Sequence, residues 1–352
     1  MVFRQFHYIR TDRIYAIFIS QILNFQGSTS LWGVGSFRKY DNGTAQPNLA
    51  AKSLEMFFVP VPPEQEQHRI IKKRLELESY IDRYNATYTK LTSLNVGFPE
   101  ELKKSILQEA VMGKLVPQDG NDEPASVLLE RIRKEKQRLI AEGKLKKDKH
   151  ESIIYRRDNS HYEKLNGVER CIDDEIPFDI PETWSWCRLG SILYKLTDGT
   201  HSTPKYAKTG VPFISVKDVS SGRLSFESCK YISEEEHRIL YERCNPQKGD
   251  ILLTKVGTTG IPVIVDTDME FSLFVSVALL KFDNSLLDIR YLINLINSPL
   301  VQLQAAENTR GVGNKNWVMR DIANTLIAIP PLQEQHRIVE KIAIVTKHLN
   351  SL

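Results

Sequence analysis

A twelve-residue phrase occurs twice in this chain and constrains its architecture more than any other feature. Residues 61–72 read VPPEQEQHRIIK, and residues 329–340 read IPPLQEQHRIVE. The equivalent histidines, His68 and His336, are 336 − 68 = 268 residues apart, a distance far longer than the period of a solenoid repeat. The repeat therefore indicates duplication of a whole domain rather than an array of short units.

Each copy of the phrase predicts the end of a strand and the start of a helix. The Pro-Pro pair removes two backbone donors, so an apolar strand stops there. Proline is favoured in the first turn of a helix, and carboxylates such as Glu66 and Glu334 suit the positive end of the helix dipole. Each phrase is thus expected to close a globular domain and to begin a long helix.

The two predicted helices share an apolar pattern. Apolar side chains recur at alternating spacings of about four and three residues, which is typical of a coiled coil. The predicted coiled-coil seam consists of Ile70, Leu77, Ile81, Tyr84, Tyr88 and Leu91 in the first helix and Ile338, Ile342, Val345 and Leu349 in the second. Because a pseudo-two-fold axis is expected to relate duplicated units, we predict that these side chains pack together as an antiparallel helix pair.

Changes in composition divide the chain into five segments. Residues 1–62 are predicted to be the C-terminal part of a globular α/β domain, and residues 63–145 a central helical region. Residues 146–179 are polar, carry no periodicity and are predicted to be a linker. A second domain is expected over residues 180–331, followed by a C-terminal helix over residues 332–352.

The predicted fold class is α+β: a domain of mixed sheet and helices joined to the long helices of the antiparallel coiled-coil pair. In the second domain, short β-type runs bounded by turns predict strands near residues 211–216, 250–255, 262–265, 275–280 and 325–329. Helices are predicted near residues 233–240 and 289–304.

Glycine and proline set the predicted bounds of the central helices. A first helix over residues 64–94 is expected to break at Asn95–Pro99, since the residue before a proline avoids the α region. A second helix over residues 100–112 should end at Gly113, and a third should end at Gly143.

Net charge alone does not identify a partner, because it is only +3. Basic residues nevertheless cluster at Arg131–Arg138 and Lys144–Lys149. Such a cluster is either a solvated helix face with a linker or a stripe that tracks phosphates or binds a partner. Both interpretations stay open at this point.

The four cysteines and the apolar segments indicate a reduced, cytoplasmic protein. The cysteines show neither a CxxC pair nor zinc-ligand spacing. The apolar run Ile14–Leu23 is interrupted by Ser20 and Gln21 and is shorter than the roughly 20 residues that a bilayer span needs. We therefore predict a buried helix there and no membrane partner.

Several motifs together resemble one protein family. They are IPETW at residues 180–184, DGTH at 198–201, GVPFI at 210–214, KGDIL at 248–252, the segment 105–118 and both copies of the repeated phrase. The chain resembles the specificity subunit of a bacterial type I restriction-modification system. Members of that family have two target-recognition domains in tandem, each followed by a helix, and each domain reads one half of a split DNA sequence.

The resemblance implies partners rather than chemistry. It implies double-stranded DNA, type I methyltransferase (modification) subunits and a restriction/translocase subunit as partners, and no cofactor for this chain. Most of a first recognition domain has no counterpart before Met1. The chain is accordingly expected to be a truncated product, a fragment, or a half-subunit that forms a homodimer with a second copy.

Three loops of the second domain carry the residue types that contact DNA. Arginine, lysine and asparagine bind guanine, phosphate and adenine edges, and loops on a rigid core can vary without unfolding it. The candidates are His201, Lys205, Tyr206, Lys255, Thr258, Thr259, Arg310, Lys315 and Asn316. The alternative interpretation, that these are ordinary polar loops, is about equally compatible with the sequence.

The sequence offers little support for catalysis. It contains no Asn/Asp-Pro-Pro-Tyr/Phe methylation motif, no glycine-rich S-adenosylmethionine loop and no P-loop. We therefore predict a non-catalytic recognition subunit with no catalytic residue and no metal ligand. Two other classes remain open: a stand-alone restriction endonuclease, and a coiled-coil interaction or regulatory protein that does not bind DNA.

Overall fold

The computed structural model describes residues 62–145, 151–311 and 315–349. The chain divides into two units, residues 1–96 and residues 97–352. The predicted first-domain segment up to residue 61 and the apolar run Ile14–Leu23 lie outside the described residues.

The repeated phrase begins a helix at both sites, as predicted. Helix α1 spans Glu64–Val111. At its start, the side-chain amide of Gln67 donates to the carbonyl of Pro62 at 2.7 Å. The equivalent Gln335 donates to the carbonyl of Pro330 at 3.1 Å, so the two copies share one N-terminal contact.

The predicted break at Asn95–Pro99 is wrong, because α1 continues through Gly97 and Pro99 for 48 residues. Proline removes one helical hydrogen bond, the one that the carbonyl of Asn95 would accept. Asn95 is exposed, so water can satisfy that carbonyl and the helix can continue.

The glycine ends of the central helices are confirmed. Gly113 follows α1 with φ +72°, and the amide of Lys114 donates back to the carbonyl of Glu109 at 2.9 Å. Helix α2, Ala125–Ala141, ends in the same way at Gly143, which has φ +71°. This is the Schellman geometry, in which only glycine adopts the left-handed position without strain.

The predicted linker contains a folded sheet. Strands β1 (Ser152–Arg157), β2 (Ser160–Leu165) and β3 (Val168–Cys171) form an antiparallel meander. The linker prediction is therefore wrong over these residues. The sheet was not predicted because its strands are polar, yet the sequence contains two turn signals, Asp158-Asn159 and Asn166-Gly167. All four of these residues adopt positive φ, as two-residue hairpin loops require.

A buried ion-pair network attaches this meander to strand β4, Ser185–Arg188. Glu163 accepts from the Arg188 Nε atom at 2.9 Å and from the Ser152 hydroxyl at 2.6 Å. Arg170 also donates to Glu163 at 2.6 Å, and Arg188 reaches Glu175 at 2.6 Å. Burial alone would raise the pKa of Glu163, but the hydrogen bonds from Arg188, Ser152 and Arg170 outweigh it and hold that pKa at about 2.

The remaining elements build a mixed α+β domain, as predicted. In chain order they are α3 Leu189–Ile192, β5 Lys195–Asp198, β6 Val211–Ile214, β7 Lys230–Ile232, α4 Glu234–Arg243, β8 Ile251–Thr254, β9 Pro262–Ile264, β10 Ser272–Leu273, β11 Val277–Lys281, α5 Ile289–Asn297, α6 Pro299–Asn308, β12 Thr309–Arg310, β13 Asn316–Trp317, α7 Met319–Asn324, β14 Leu326–Ile329 and α8 Leu332–Leu349. The predicted strands are all present. The predicted helix over 289–304 is two helices, because Pro299 holds Ser298 in the extended region with ψ 154°.

The strands form small sheets around one main core. A four-stranded antiparallel sheet has the order β5-β11-β8-β9, and a three-stranded sheet has the order β10-β6-β7. Strand β14 pairs with β4, and β12 pairs with β13. Apolar side chains from β4, β8, β11, β14, α5 and α8 share one core, so the start of α8 is part of the domain.

Part of the predicted coiled-coil seam on α8 packs into the core of this domain. Ile338 and Ile342 are buried in its core, which leaves Val345 and Leu349 half-buried. The six seam side chains of α1, from Ile70 to Leu91, are exposed by 42–67%. The pairing of the two helices stays a prediction, with Ile338 and Ile342 corrected to core residues.

Candidate nucleic-acid interface

The three predicted contact loops meet at one edge of the domain. Loop A (residues 199–210) follows β5, loop B (residues 255–261) follows β8, and loop C (residues 309–317) joins β12 to β13. Residues 312–314 of loop C lie outside the described residues. The loops are called the loop cluster below.

Main-chain hydrogen bonds join loop B to loop C. The amide of Gly257 donates to the carbonyl of Lys315 at 2.8 Å, and the amide of Trp317 donates to the carbonyl of Lys255 at 2.8 Å. The Thr259 and Thr309 hydroxyls lie 3.4 Å apart. Because the backbone holds the two loops, their side chains remain available for other contacts.

Loop A is held against the turn between β10 and β11. The amide of Thr200 donates to the carbonyl of Leu273 at 2.9 Å. Gly199 lies so close to that turn that a Cβ atom there would be 2.0 Å from the Leu273 carbonyl oxygen. The glycine of the DGTH motif is thus required by close backbone approach, not by an unusual turn.

A buried carboxylate links loops A and B. The side chain of Asp198, at the end of β5, is only 6% exposed, and Lys255, at the start of loop B, is 5% exposed. Their Oδ2 and Nζ atoms are 3.1 Å apart. Asp198 also accepts from Arg243 at 2.5 Å and lies 3.2 Å from the His201 ring, so two cationic side chains and one imidazole ring converge on it.

The structure brings most predicted contact residues to the surface. Those with exposed side chains are His201, Lys205, Tyr206, Thr258, Arg310 and Lys315, while Thr259 is half-buried. Arg310 is 72% exposed, and its nearest acidic partner, Asp321, is 4.0 Å away. The Lys230 ammonium lies 3.9 Å from the centre of the Tyr206 ring, which adds a cation–π contact at the rim of loop A.

Two predicted contact residues are placed otherwise. Lys255 is buried against Asp198, so it holds the loops instead of reaching a ligand. Asn316 is half-buried, its backbone bridges to Val256, and its amide oxygen is enclosed. Neither is presented to a ligand in this structure. Sequence reasoning assigned Lys255 wrongly because its partner, Asp198, is 57 residues away in the chain.

The C-terminal half of the chain matches a known protein family. Residues 181–352 match the family model described as the type I restriction modification DNA specificity domain, a segment that includes the whole loop cluster. Residues 181–352 belong to the type I DNA specificity-domain family. The chain is 29% identical over 378 residues to the type I restriction enzyme EcoAI specificity subunit of Escherichia coli, covering 90% of this chain and 59% of that protein.

One further relative and one solved structure are similar to this chain. The chain is 28% identical over 302 residues to the EcoEI specificity subunit of Escherichia coli, covering 82% of this chain and 46% of that protein. The chain therefore spans about half the length of these two relatives. The HsdS subunit of Thermoanaerobacter tengcongensis aligns with 17% identity and a TM-score of 0.43, over 90% of this chain and 61% of that structure.

The basic cluster at residues 131–138 is mostly neutralised along α2. Arg138 pairs with Glu135 and Glu142, and Arg133 pairs with Glu130, each at 2.5 Å. Intrahelical pairs of this kind are the signature of a solvated helix face. The stretch from residue 131 to residue 138 thus fits the solvated interpretation, while residues 146–150 lie outside the described residues.

One Ser-His-Glu arrangement in the specificity domain was not found from the sequence. His237 lies between the Ser272 hydroxyl, at 2.9 Å from Nδ1, and Glu270, at 3.2 Å from Nε2. Ser272 is fully buried in β10, so no substrate can reach its hydroxyl. The contact secures α4 to β10 and offers no nucleophile.

The rest of the described chain offers neither a cluster of metal ligands nor a membrane span. Within residues 62–145, 151–311 and 315–349, no three His, Cys, Asp or Glu side chains are grouped as ligands of an ion. Over the same residues, every helix is too short or too polar to span a bilayer. The four cysteines, Cys171, Cys187, Cys229 and Cys244, are free thiols.

Proposed function

We propose that this chain is a DNA-recognition subunit that reads sequence through the loop cluster. The observation that carries this is the convergence of three loops, separated in sequence, into one exposed surface above the buried Asp198–Lys255 pair. Arg310, Lys315, His201 and Lys205 project there from a backbone that is already held. Exposed side chains on a fixed scaffold are what base and phosphate contacts require.

In this proposal the chain does no chemistry of its own. It would direct methyltransferase subunits and a restriction/translocase subunit to a bipartite DNA site, inside the cytoplasm. The support is the match of residues 181–352 to the type I DNA specificity domain, together with the exposed seam of α1, which offers a surface for assembly. The isolated chain should neither cut nor methylate DNA when Mg²⁺, ATP and S-adenosylmethionine are supplied.

Replacement of Arg310 tests base reading. In the chain assembled with its methyltransferase subunits, Arg310→Ala should weaken binding to target DNA by about 1–3 kcal/mol if the guanidinium contacts a base edge in bidentate fashion. Affinity for target and scrambled duplexes should be measured by fluorescence anisotropy. Arg238→Ala is the matched control, since Arg238 is 79% exposed on α4 and outside the loop cluster.

The result for Arg310 separates the candidate functions. A loss confined to the target duplex supports base reading, and an equal loss on both duplexes assigns Arg310 to a phosphate. If the wild-type assembly does not distinguish the two duplexes, the recognition function itself is wrong and the interaction-protein alternative takes its place.

We propose, second, that the exposed seam of α1 pairs with another helix, either α8 of the same chain or the seam of a second copy. Each leucine-sized side chain that becomes buried contributes about 1.5–3 kcal/mol. Leu77→Glu with Tyr84→Glu should therefore abolish pairing. Leu75→Glu is a matched control, because Leu75 is 58% exposed on the same helix but off the seam.

Two measurements distinguish the possible partners of the seam. Sedimentation of the full chain detects pairing with a second copy. Thermal unfolding at several concentrations detects pairing within one chain, because the midpoint temperature is then independent of protein concentration. An equal effect of the seam and control variants on both measurements would contradict the pairing model.

A further inference from the structure

A groove runs along the β5 edge of the specificity domain, beside the loop cluster. It has a volume of about 740 Å³ and lies between the end of α2, the segment from α3 to β5, the end of α4 and helix α7. This groove is called the basic groove below. Of its lining residues, only Lys136 and Lys144 were singled out from the sequence, as members of the basic cluster.

The charged side chains that line the basic groove are almost all cationic. Five are basic, Lys136, Lys144, Lys195, Arg243 and Arg320, and one is acidic, Glu242. Three of the cations are well exposed: the side chains of Lys144, Arg243 and Arg320 are 66%, 54% and 70% exposed. The groove therefore has an excess of positive charge that solvent and ligands can reach.

The acids that accompany these cations lie mostly outside the groove lining. Lys144 pairs with Glu142 at 2.8 Å, and Glu142 is not among the residues that line the groove. Lys195 donates to the neutral side chain of Asn245 at 3.1 Å. Burial lowers the pKa of Lys195, and the nearby Lys281 and Arg243 add to this effect, so an anion in the groove would stabilise its charged form.

Two buried acids connect the basic groove to the loop cluster. Asp198 accepts from Arg243 of the groove and from Lys255 and lies against His201 of the loops. Asp321 lies 3.4 Å from Arg320 of the groove and 4.0 Å from Arg310 of loop C. At both points a groove arginine and a loop cation share one carboxylate, so the two surfaces are continuous.

We propose that the basic groove binds the DNA phosphate backbone next to the bases that the loop cluster reads. This inference rests on the proposed recognition function and assigns it a second contact surface. A duplex that places base edges on loops A, B and C must continue across a neighbouring surface, and the adjoining surface on the β5 side is cationic. An excess of lysine and arginine suits phosphate binding, because contacts to phosphates depend on charge and carry no base-specific geometry.

The test removes two exposed groove cations in the full chain assembled with its methyltransferase subunits. The variant is Lys144→Gln with Arg320→Gln. Affinity for target and scrambled duplexes is measured over a salt series. Loss of two phosphate contacts should weaken both duplexes by the same factor and reduce the slope of log K against log[salt] by about 1.8, that is about 0.9 per contact.

The matched control is Arg290→Gln with Lys347→Gln, which removes the same two residue types elsewhere. Arg290 lies on α5, which packs against β9 at the far edge of the four-stranded sheet from β5. The control should retain the wild-type slope. Unchanged thermal unfolding of each variant shows that folding does not account for a difference.

The outcomes separate this inference from the function on which it rests. If the wild-type assembly distinguishes the two duplexes but the groove variant has the same salt slope as the wild type, the groove proposal is wrong. The recognition function then stands. Loss of methyltransferase association with an unchanged slope also overturns it and assigns the groove to an acidic protein partner. Absence of target discrimination in the wild type overturns the recognition function and the groove together.

Discussion

Asp198→Ala is expected to lower the free energy of unfolding by about 3–5 kcal/mol, the cost of leaving a buried charge without its partner. Lys255 is the residue left behind, with a side chain only 5% exposed. Arg243 is half exposed and can turn to solvent, but the Lys255 ammonium cannot. Urea denaturation of the full chain measures the change.

Two companion variants show whether the Asp198–Lys255 pair is the cause. Asp198→Ala combined with Lys255→Met should be more stable than Asp198→Ala alone, because the unpaired buried charge is gone. Asp268→Ala should cost less than about 1 kcal/mol, since its pair with Lys248 is a surface pair with the Asp268 side chain 83% exposed. Equal losses in Asp198→Ala and Asp268→Ala would show that burial does not strengthen the Asp198 contact.

Acid should release the β1–β3 meander from the domain through Glu163. The folded pKa of Glu163 is about 2, below its ordinary value of 4.5. The stabilisation is therefore complete above about pH 4.5 and is lost as pH falls towards about 2. The difference of about 2.5 units corresponds to about 3 kcal/mol.

Glu163→Gln isolates this contribution. The variant should be less stable than wild type at neutral pH and should lose less stability between about pH 5 and pH 3, because its side chain no longer takes up a proton. Glu182→Gln, an exposed change close to β4, should keep the wild-type pH dependence. Parallel acid profiles for wild type and Glu163→Gln would place the acid-sensitive group elsewhere.

Local signals predicted most of the fold. Gly113 and Gly143 set helix ends because the left-handed position that each occupies depends only on neighbouring residues. The same holds for the Pro-Pro pairs and for the apolar runs of β6, β8, β9, β11 and β14. The meander was missed because its buried member, Glu163, is a charged residue whose partner, Arg188, lies 25 residues further along the chain.

The candidate site was predictable as loops but not as side-chain roles. The residue types in loops A, B and C indicated exposed polar segments, and the structure brings those segments together. Whether a lysine there faces solvent or a buried acid depends on sheet order: β11 lies between β5 and β8 and thereby sets Asp198 opposite Lys255. No local sequence pattern predicts sheet order. The basic groove could not be predicted for the same reason, because its lining residues come from separate parts of the chain.

The way in which loops B and C are joined has a consequence for how such a protein can diversify. The contacts that fasten them, from Gly257 to Lys315 and from Trp317 to Lys255, run through backbone atoms, which every amino acid except proline supplies. Exchanging the residues at Thr258 or Arg310 therefore leaves the fastening unchanged. Under the proposed function, single substitutions at these positions can change the preferred DNA target without changing the backbone contacts that hold the loops.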